Sequence, residues 1–95
     1  MPDFFQQPKI TGYRQLSEQE AALMNKVKAK GQELQSLVND LNQYLTQQAA
    51  DACGNATEQD RLEHAQPMKW LAVGKTDLQT GLMALTRAVA QPGAF

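Results

Sequence analysis

Met24, Val27, Gly31, Leu34, Val38, Leu41 and Leu45 recur at steps of three and four, and this run constrains the fold more than any other feature of the chain. Residues spaced in this way line one side of an α-helix, because three to four residues complete a turn. The result is an apolar seam of the heptad kind, which has to be covered by another helix. Leu23, Leu37 and Tyr44 widen it on one flank. Upstream, Ser17 followed by Glu20 forms a capping box, which satisfies backbone N–H groups that the first turn leaves without partners. A helix over residues 18–48 is therefore predicted.

The seam needs a partner, and the second half of the chain supplies one. Ala49 to Ala56 breaks the pattern, with Gly54-Asn55 as the turn signal. Thr57 is the expected N-cap of a second helix over 58–90, and Pro67 is expected to kink or divide that helix. Leu71, Gly74, Leu78, Gly81, Leu85 and Ala88 form a second seam, and Gln91-Pro92-Gly93 ends it. Two long helices joined by a short turn run antiparallel. The expected fold is thus all-α: an αα-hairpin domain over 17–92, a short N-terminal arm over 1–16 and a tail over 93–95.

One hairpin does not use up the apolar surface. Gly81 to Leu85 and Ala88 to Ala90 are apolar on nearly every side, which implies burial from several directions. Gly74 and Gly81 each cost about 1 kcal/mol of helix propensity relative to alanine. Glycine is tolerated in a helix where another backbone comes close. Both observations predict a homo-oligomer packed through the second helix.

Composition excludes several function classes. The 95 residues make a single small domain. Nine basic against ten acidic side chains give a formal net charge of -1, which argues against a DNA- or RNA-polymer coat. Cys53 is the only cysteine and His64 the only histidine, so neither a disulfide nor a histidine-pair metal site forms within one chain. Asp60 and His64, four apart on a helix, read as a surface pair rather than as metal ligands. No secretory signal or bilayer-length apolar run is visible, and a cytoplasmic protein is expected.

The chemistry-bearing residues cluster near the start of the first helix. Lys26, Lys28 and Lys30 step by two, so they do not share a face. Lys28 aligns with Ala21, Asn25 and Gln32 beside the seam, at the rim of an interface where a partly desolvated ammonium attracts phosphate. Lys30 falls beyond it, and Lys26 is expected in solvent. A wet helix face is the bland alternative for all three. Tyr13 lies before the capped helix, outside any seam, and suits a ring stacked on a nucleobase. Packing at the open end of the hairpin is its bland alternative. From Ser17 to Lys28 the helix rises roughly 16 Å, so the tyrosine and lysine of one site are expected to come from two chains.

Tyr13-Arg14-x-Leu16-Ser17, Met24-Asn25-x-x-Lys28-x-x-Gly31, Trp70-Leu71-Ala72 and Leu78-Gln79-x-Gly81-x-Met83-Ala84-Leu85-x-Arg87-Ala88-Val89 occur in this order. Together they resemble the phage anti-CBASS cyclic-oligonucleotide sponge family, the type-two helical hairpins, from Ile10 to Pro92. The resemblance implies a homohexamer that binds cyclic oligonucleotides such as cyclic GMP-AMP without cleaving them, in the host cell cytoplasm and with no cofactor. It implies cyclic-dinucleotide pockets between protomers in which Tyr13 and Lys28 carry the binding, with Arg14, Asn25 and Gly31 as supports. It also implies a separate cyclic-trinucleotide site, for which Lys69 and then Lys30 are the candidates. The competing readings are a helical module docking on a host protein and a hydrolase of the same messengers. The hydrolase ranks last, because no catalytic constellation is evident.

Overall fold

The computed structural model describes residues 15–93. Tyr13 and Arg14, with nearly all of the arm, lie outside the described residues, as do residues 94 and 95. Three helices follow in order: α1 (Glu18–Asp51), α2 (Ala56–Ala65) and α3 (Pro67–Ala90). Among the described residues there is no strand. The architecture is an all-helical hairpin in which α1 and α3 make the main contact.

Each boundary has a local cause. The Ser17 hydroxyl accepts the Glu20 N–H at 3.1 Å, and the Glu20 carboxylate accepts the Ser17 N–H at 2.9 Å. The capping box therefore starts α1 at Glu18. The helix continues past residue 48 to Asp51, through the good helix formers Ala49 and Ala50. A bond from Gln47 Nε2 to the Asp51 carboxylate at 2.7 Å holds this last turn.

The second helical segment departs from expectation in two ways. Its cap is Asn55 rather than Thr57, and it starts at Ala56 rather than residue 58. Gly54, at φ 81°, turns the chain, and the Asn55 side-chain Oδ1 then accepts the Glu58 N–H at 3.1 Å. Asparagine two residues earlier captures the donor that Thr57 was expected to meet. The segment is also two helices, not one continuous 58–90 helix. Gln66 is left-handed, at φ 52° and ψ 54°, and Pro67 opens α3 at its first position. The proline ring crowds the preceding residue out of the right-handed helical region and supplies no N–H to bond backwards. Of the two outcomes anticipated at Pro67, division is the one observed. The end of α3 at Ala90 is capped by Gln91, again left-handed at φ 48°.

The half-buried residues of α1 are Glu20, Met24, Val27, Gly31, Leu34, Val38, Leu45 and Gln48. The heptad seam is therefore the face turned to α3. On α3 the face towards α1 runs through Leu71, Leu82, Thr86 and Val89. The seam anticipated there diverges from this line: Leu85 is 56% exposed, and a Cβ built on Gly74 or Gly81 meets nothing within 4 Å. Gly81 and Leu85 thus stand to one side of the contact line, which passes through Leu82, Thr86 and Val89. Burial is shallow throughout. Ala52, under the turn between α1 and α2, is the only buried residue among those described.

Candidate functional site

The α1–α3 contact line divides the hairpin into two unlike faces. At 100° per residue, Asn25, Lys28, Gln32, Gln35 and Asn39 fall on one flank of the α1 seam. Leu23, Lys30, Leu37, Leu41 and Tyr44 fall on the other. On α3 the first face receives Gln79, Thr86 and Arg87, and the second receives Trp70, Gly74, Gly81 and Leu85. Lys28 and Lys30 therefore lie on opposite faces of the molecule.

Along the polar face runs a cleft in two adjoining segments. The outer one, at the open end of the hairpin, has a volume of 710 Å³ and a floor of Met24, Val27 and Leu82. Asn25 and Lys28 stand on its α1 wall, and Thr86 and Arg87 on its α3 wall. The inner segment, of 430 Å³, is walled by Gln32, Gln35 and Asn39 from α1 and by Lys75 and Gln79 from α3. Lys28, Gly31 and Leu82 line both segments, so the two adjoin. At their junction Leu82 packs close to Gly31: a Cβ there would lie 3.4 Å from Leu82 Cδ1. Among the described residues, no Asp or Glu lines either segment.

Three of the anticipated ligand contacts thus meet in one place: Asn25, Lys28 and Gly31 share the outer segment. Tyr13 and Arg14 belong to the residues outside the description. The two trinucleotide candidates lie elsewhere. Lys30 is bonded to Glu33 on its own helix at 3.2 Å, with both side chains largely in water. Such a pair contributes little to stability, but it occupies the ammonium. Lys69 lines a different groove, beside Glu63 and Leu62 near the turn. It stands 5.3 Å over the Trp70 ring, a cation–π contact. Along α3, Lys69 is roughly 20 Å from Leu82 and the Lys28 cleft.

Thr86 and Arg87 are the additions that residue patterns alone did not assign. Arg87 stands within the run of matched motif residues, but its facing Lys28 depends on how the helices are paired. Thr86 Oγ1 donates to the Leu82 carbonyl at 2.9 Å, one turn back along α3. Helix α2 carries the paired surface charges. Arg61 bonds Glu58 through both nitrogen positions that face it. That bond holds the Glu58 carboxyl below its ordinary value and raises the Arg61 guanidinium above its own. His64 Nδ1 lies 2.8 Å from the Asp60 carbonyl oxygen, which only accepts, so the proton is on Nδ1. The Asp60–His64 pair is thus an internal helix contact, and no group of three or more potential metal ligands occurs among the described residues.

Comparison with known proteins gives this geometry a family. The Acb2/Tad1 hairpin domain matches residues 8–90. Anti-CBASS protein 2 of Pseudomonas phage JBD67 is 43% identical over 102 aligned residues, covering 92% of this chain and 94% of that protein. The match includes α1, the turn and α3, with the cleft between them. On this combination of hairpin architecture and near full-length similarity, the chain belongs to the Acb2/Tad1 hairpin-domain family of type-two anti-CBASS proteins.

Proposed function

We propose that this protein is a phage anti-defence factor that disarms CBASS immunity by binding and sequestering cyclic oligonucleotide messengers without cleaving them. The observation that carries the reading is the acid-free cleft, where Lys28 and Arg87 stand on opposite walls above an apolar floor. Cations on the two walls of one cleft favour a phosphodiester, and the apolar floor favours a planar base. The polar groups that line the cleft are ammonium, guanidinium, carboxamide and hydroxyl, which hold and orient a ligand. No carboxylate or imidazole lines it among the described residues. Tyr13 stacks on a base and Lys28 pairs with a phosphate in this reading, with Arg14, Asn25 and Gly31 in support. Lys69 is the first candidate for a separate trinucleotide contact and Lys30, already paired with Glu33, the second.

The same reading accounts for the other face. Leu37 is 50% exposed, Trp70 61% and Leu85 56% on a single hairpin. A shallowly buried domain of this size gains stability by covering such a patch. Copies of the chain cover it in a homo-oligomer, proposed as a hexamer, and the pockets form where protomers meet. The site of action is the host cell cytoplasm, where the messengers are made. Among the described residues no helix is long and apolar enough to cross a membrane.

Isothermal titration calorimetry with cyclic GMP-AMP tests the assignment. Loss of Lys28, a charge-assisted contact, is expected to weaken binding roughly 10- to 100-fold. Tyr13→Ala is expected to act comparably, and both variants should retain the wild-type particle mass. Ligand recovered after heat-denaturing the protein should be chemically unchanged. Wild-type affinity in both variants rejects the site, and a cleaved product rejects sequestration.

A further inference from the structure

The cleft does not stop at Lys28. Its inner segment runs a further two turns towards the middle of the hairpin, walled by carboxamides from both helices. Gln32, Gln35 and Asn39 recur at steps of three and four along α1, and Gln79 faces them from α3. Their side chains make no hydrogen bond or ion pair among the described residues. Elsewhere, polar side chains bond along their own helix: Gln47 to Asp51, Lys30 to Glu33, Arg61 to Glu58. Unengaged carboxamides thus line an acid-free cleft whose floor is Val38, Leu78 and Leu82.

A carboxamide both donates and accepts, and paired carboxamides above an apolar floor match the edge and face of a purine. Charge complementarity selects the same class of ligand. Lys28 opens the segment at one end and Lys75 borders it at the other, with no carboxylate between them. Relative to the Gly31–Leu82 junction, Lys28 lies roughly 5 Å towards the open end and Gln79 roughly 5 Å the other way. A phosphate held at Lys28 therefore leaves an attached base within reach of Gln79 and Gln35.

We propose that the inner segment is a nucleobase-reading subsite, in which Gln35 and Gln79 bond the edge of a purine whose phosphate is held at Lys28. The inference rests on the proposed sequestration of cyclic oligonucleotides and adds to it the part of the cleft that distinguishes bases. Phosphate contacts fix the position of the ligand, and carboxamides reading its edge set the preference.

Calorimetry with cyclic dinucleotides of purine and of pyrimidine bases tests the subsite on the full-length oligomer. The variants are Gln35→Leu/Gln79→Leu, the near-isosteric Gln79→Glu and Lys28→Ala, each first checked for wild-type particle mass and melting temperature. The double leucine variant is expected to lose at least 10-fold in affinity for the purine ligand and to narrow the purine-over-pyrimidine ratio. Gln79→Glu, which puts a carboxylate beside the ligand without changing the shape of the wall, is expected to lose at least as much. If both glutamine variants bind as the wild type does, with the same base ranking, while Lys28→Ala loses affinity, the subsite is wrong and sequestration stands. If Lys28→Ala binds normally, or the wild type binds no cyclic dinucleotide, sequestration itself fails and the subsite with it.

Discussion

The two faces of the hairpin are built on the same pair of helices and differ in almost everything else. One carries Asn25, Lys28, Gln32, Gln35, Gln79 and Arg87 around a cleft that no acid among the described residues lines. The other carries Leu37, Leu41, Trp70, Gly74 and Leu78 around an apolar groove of 290 Å³. Both flank the same seam, so the division follows from which residues stand one position before or after it. The lesson concerns economy of design. A hairpin too thin to bury a core presents both faces outward, and in the proposed assembly copies of the chain cover the apolar one while the cleft face supplies ligand contacts where protomers meet.

Charging the apolar face should give the largest effect. Leu37→Glu/Leu85→Glu places carboxylates at positions that are half exposed in one hairpin but covered in the proposed assembly. Light scattering is expected to show a fall to protomer mass. An unchanged mass would mean that this face is not where copies meet.

The glycines sharpen the same contrast. Gly81→Ala adds a methyl into open space on a single hairpin and gains about 1 kcal/mol of helix propensity. If another backbone approaches Gly81, the variant weakens the assembly while stabilising the helix, so dissociation on dilution should occur at higher protein concentration. Gly31→Ala behaves differently, because its new methyl meets Leu82 at 3.4 Å, ordinary van der Waals contact. It should melt slightly above the wild type. A drop of several degrees would show that α1 and α3 need closer approach there.

Away from both faces, the turn gives a smaller effect. Asn55→Ala removes the side-chain cap on Glu58 N–H and should cost about 1 kcal/mol, whereas Thr57→Ala should cost almost nothing. Chemical denaturation of the two variants separates them, and equal losses would contradict the cap assignment.

The smallest effect expected is electrostatic. The Glu58 carboxyl is held below its ordinary value of 4.5 by its bond to Arg61. A carboxyl with a lowered folded value stabilises the fold above its unfolded value and loses that contribution as pH falls through the folded one. The pair is exposed and screened, so the contribution is slight. Melting curves of the wild type and Arg61→Ala should differ a little at pH 7 and coincide in strong acid. A difference that persists in acid would assign Arg61 a packing role instead.

Much of this architecture was legible in residue spacing, for reasons that particular residues make plain. The α1 seam was readable because its residues, the exposed Leu41 excepted, keep to one helical face, and Ser17 with Glu20 names its start. Pro67 announced a break because its chemistry is local. Lys28, beside the seam and in phase with Asn25 and Gln32, was separable from Lys30 by phase alone. The cap at Asn55 was missed because Asn55 and Thr57 are both competent, and the turn at Gly54 decides between them. The contact line on α3 was missed for a geometric reason: its seven-residue spacing runs through Gly81 and Leu85, whereas the straight helix turns Leu82, Thr86 and Val89 towards α1.

Sequence by itself determined the first helix and its start at Ser17, the break at Pro67, the seam of α1 and the phase that puts Lys28 at its edge. These follow from periodicity and capping, which act within a few residues along the chain. Only the tertiary structure decided which flank of α3 faces which flank of α1. That pairing brings Arg87 opposite Lys28, joins Gln79 to Gln35 across one cleft and leaves Trp70 and Leu85 together on the reverse. The physical reason is that a cleft belongs to two helices at once, and the rotation of one against the other is set by packing rather than by either pattern alone.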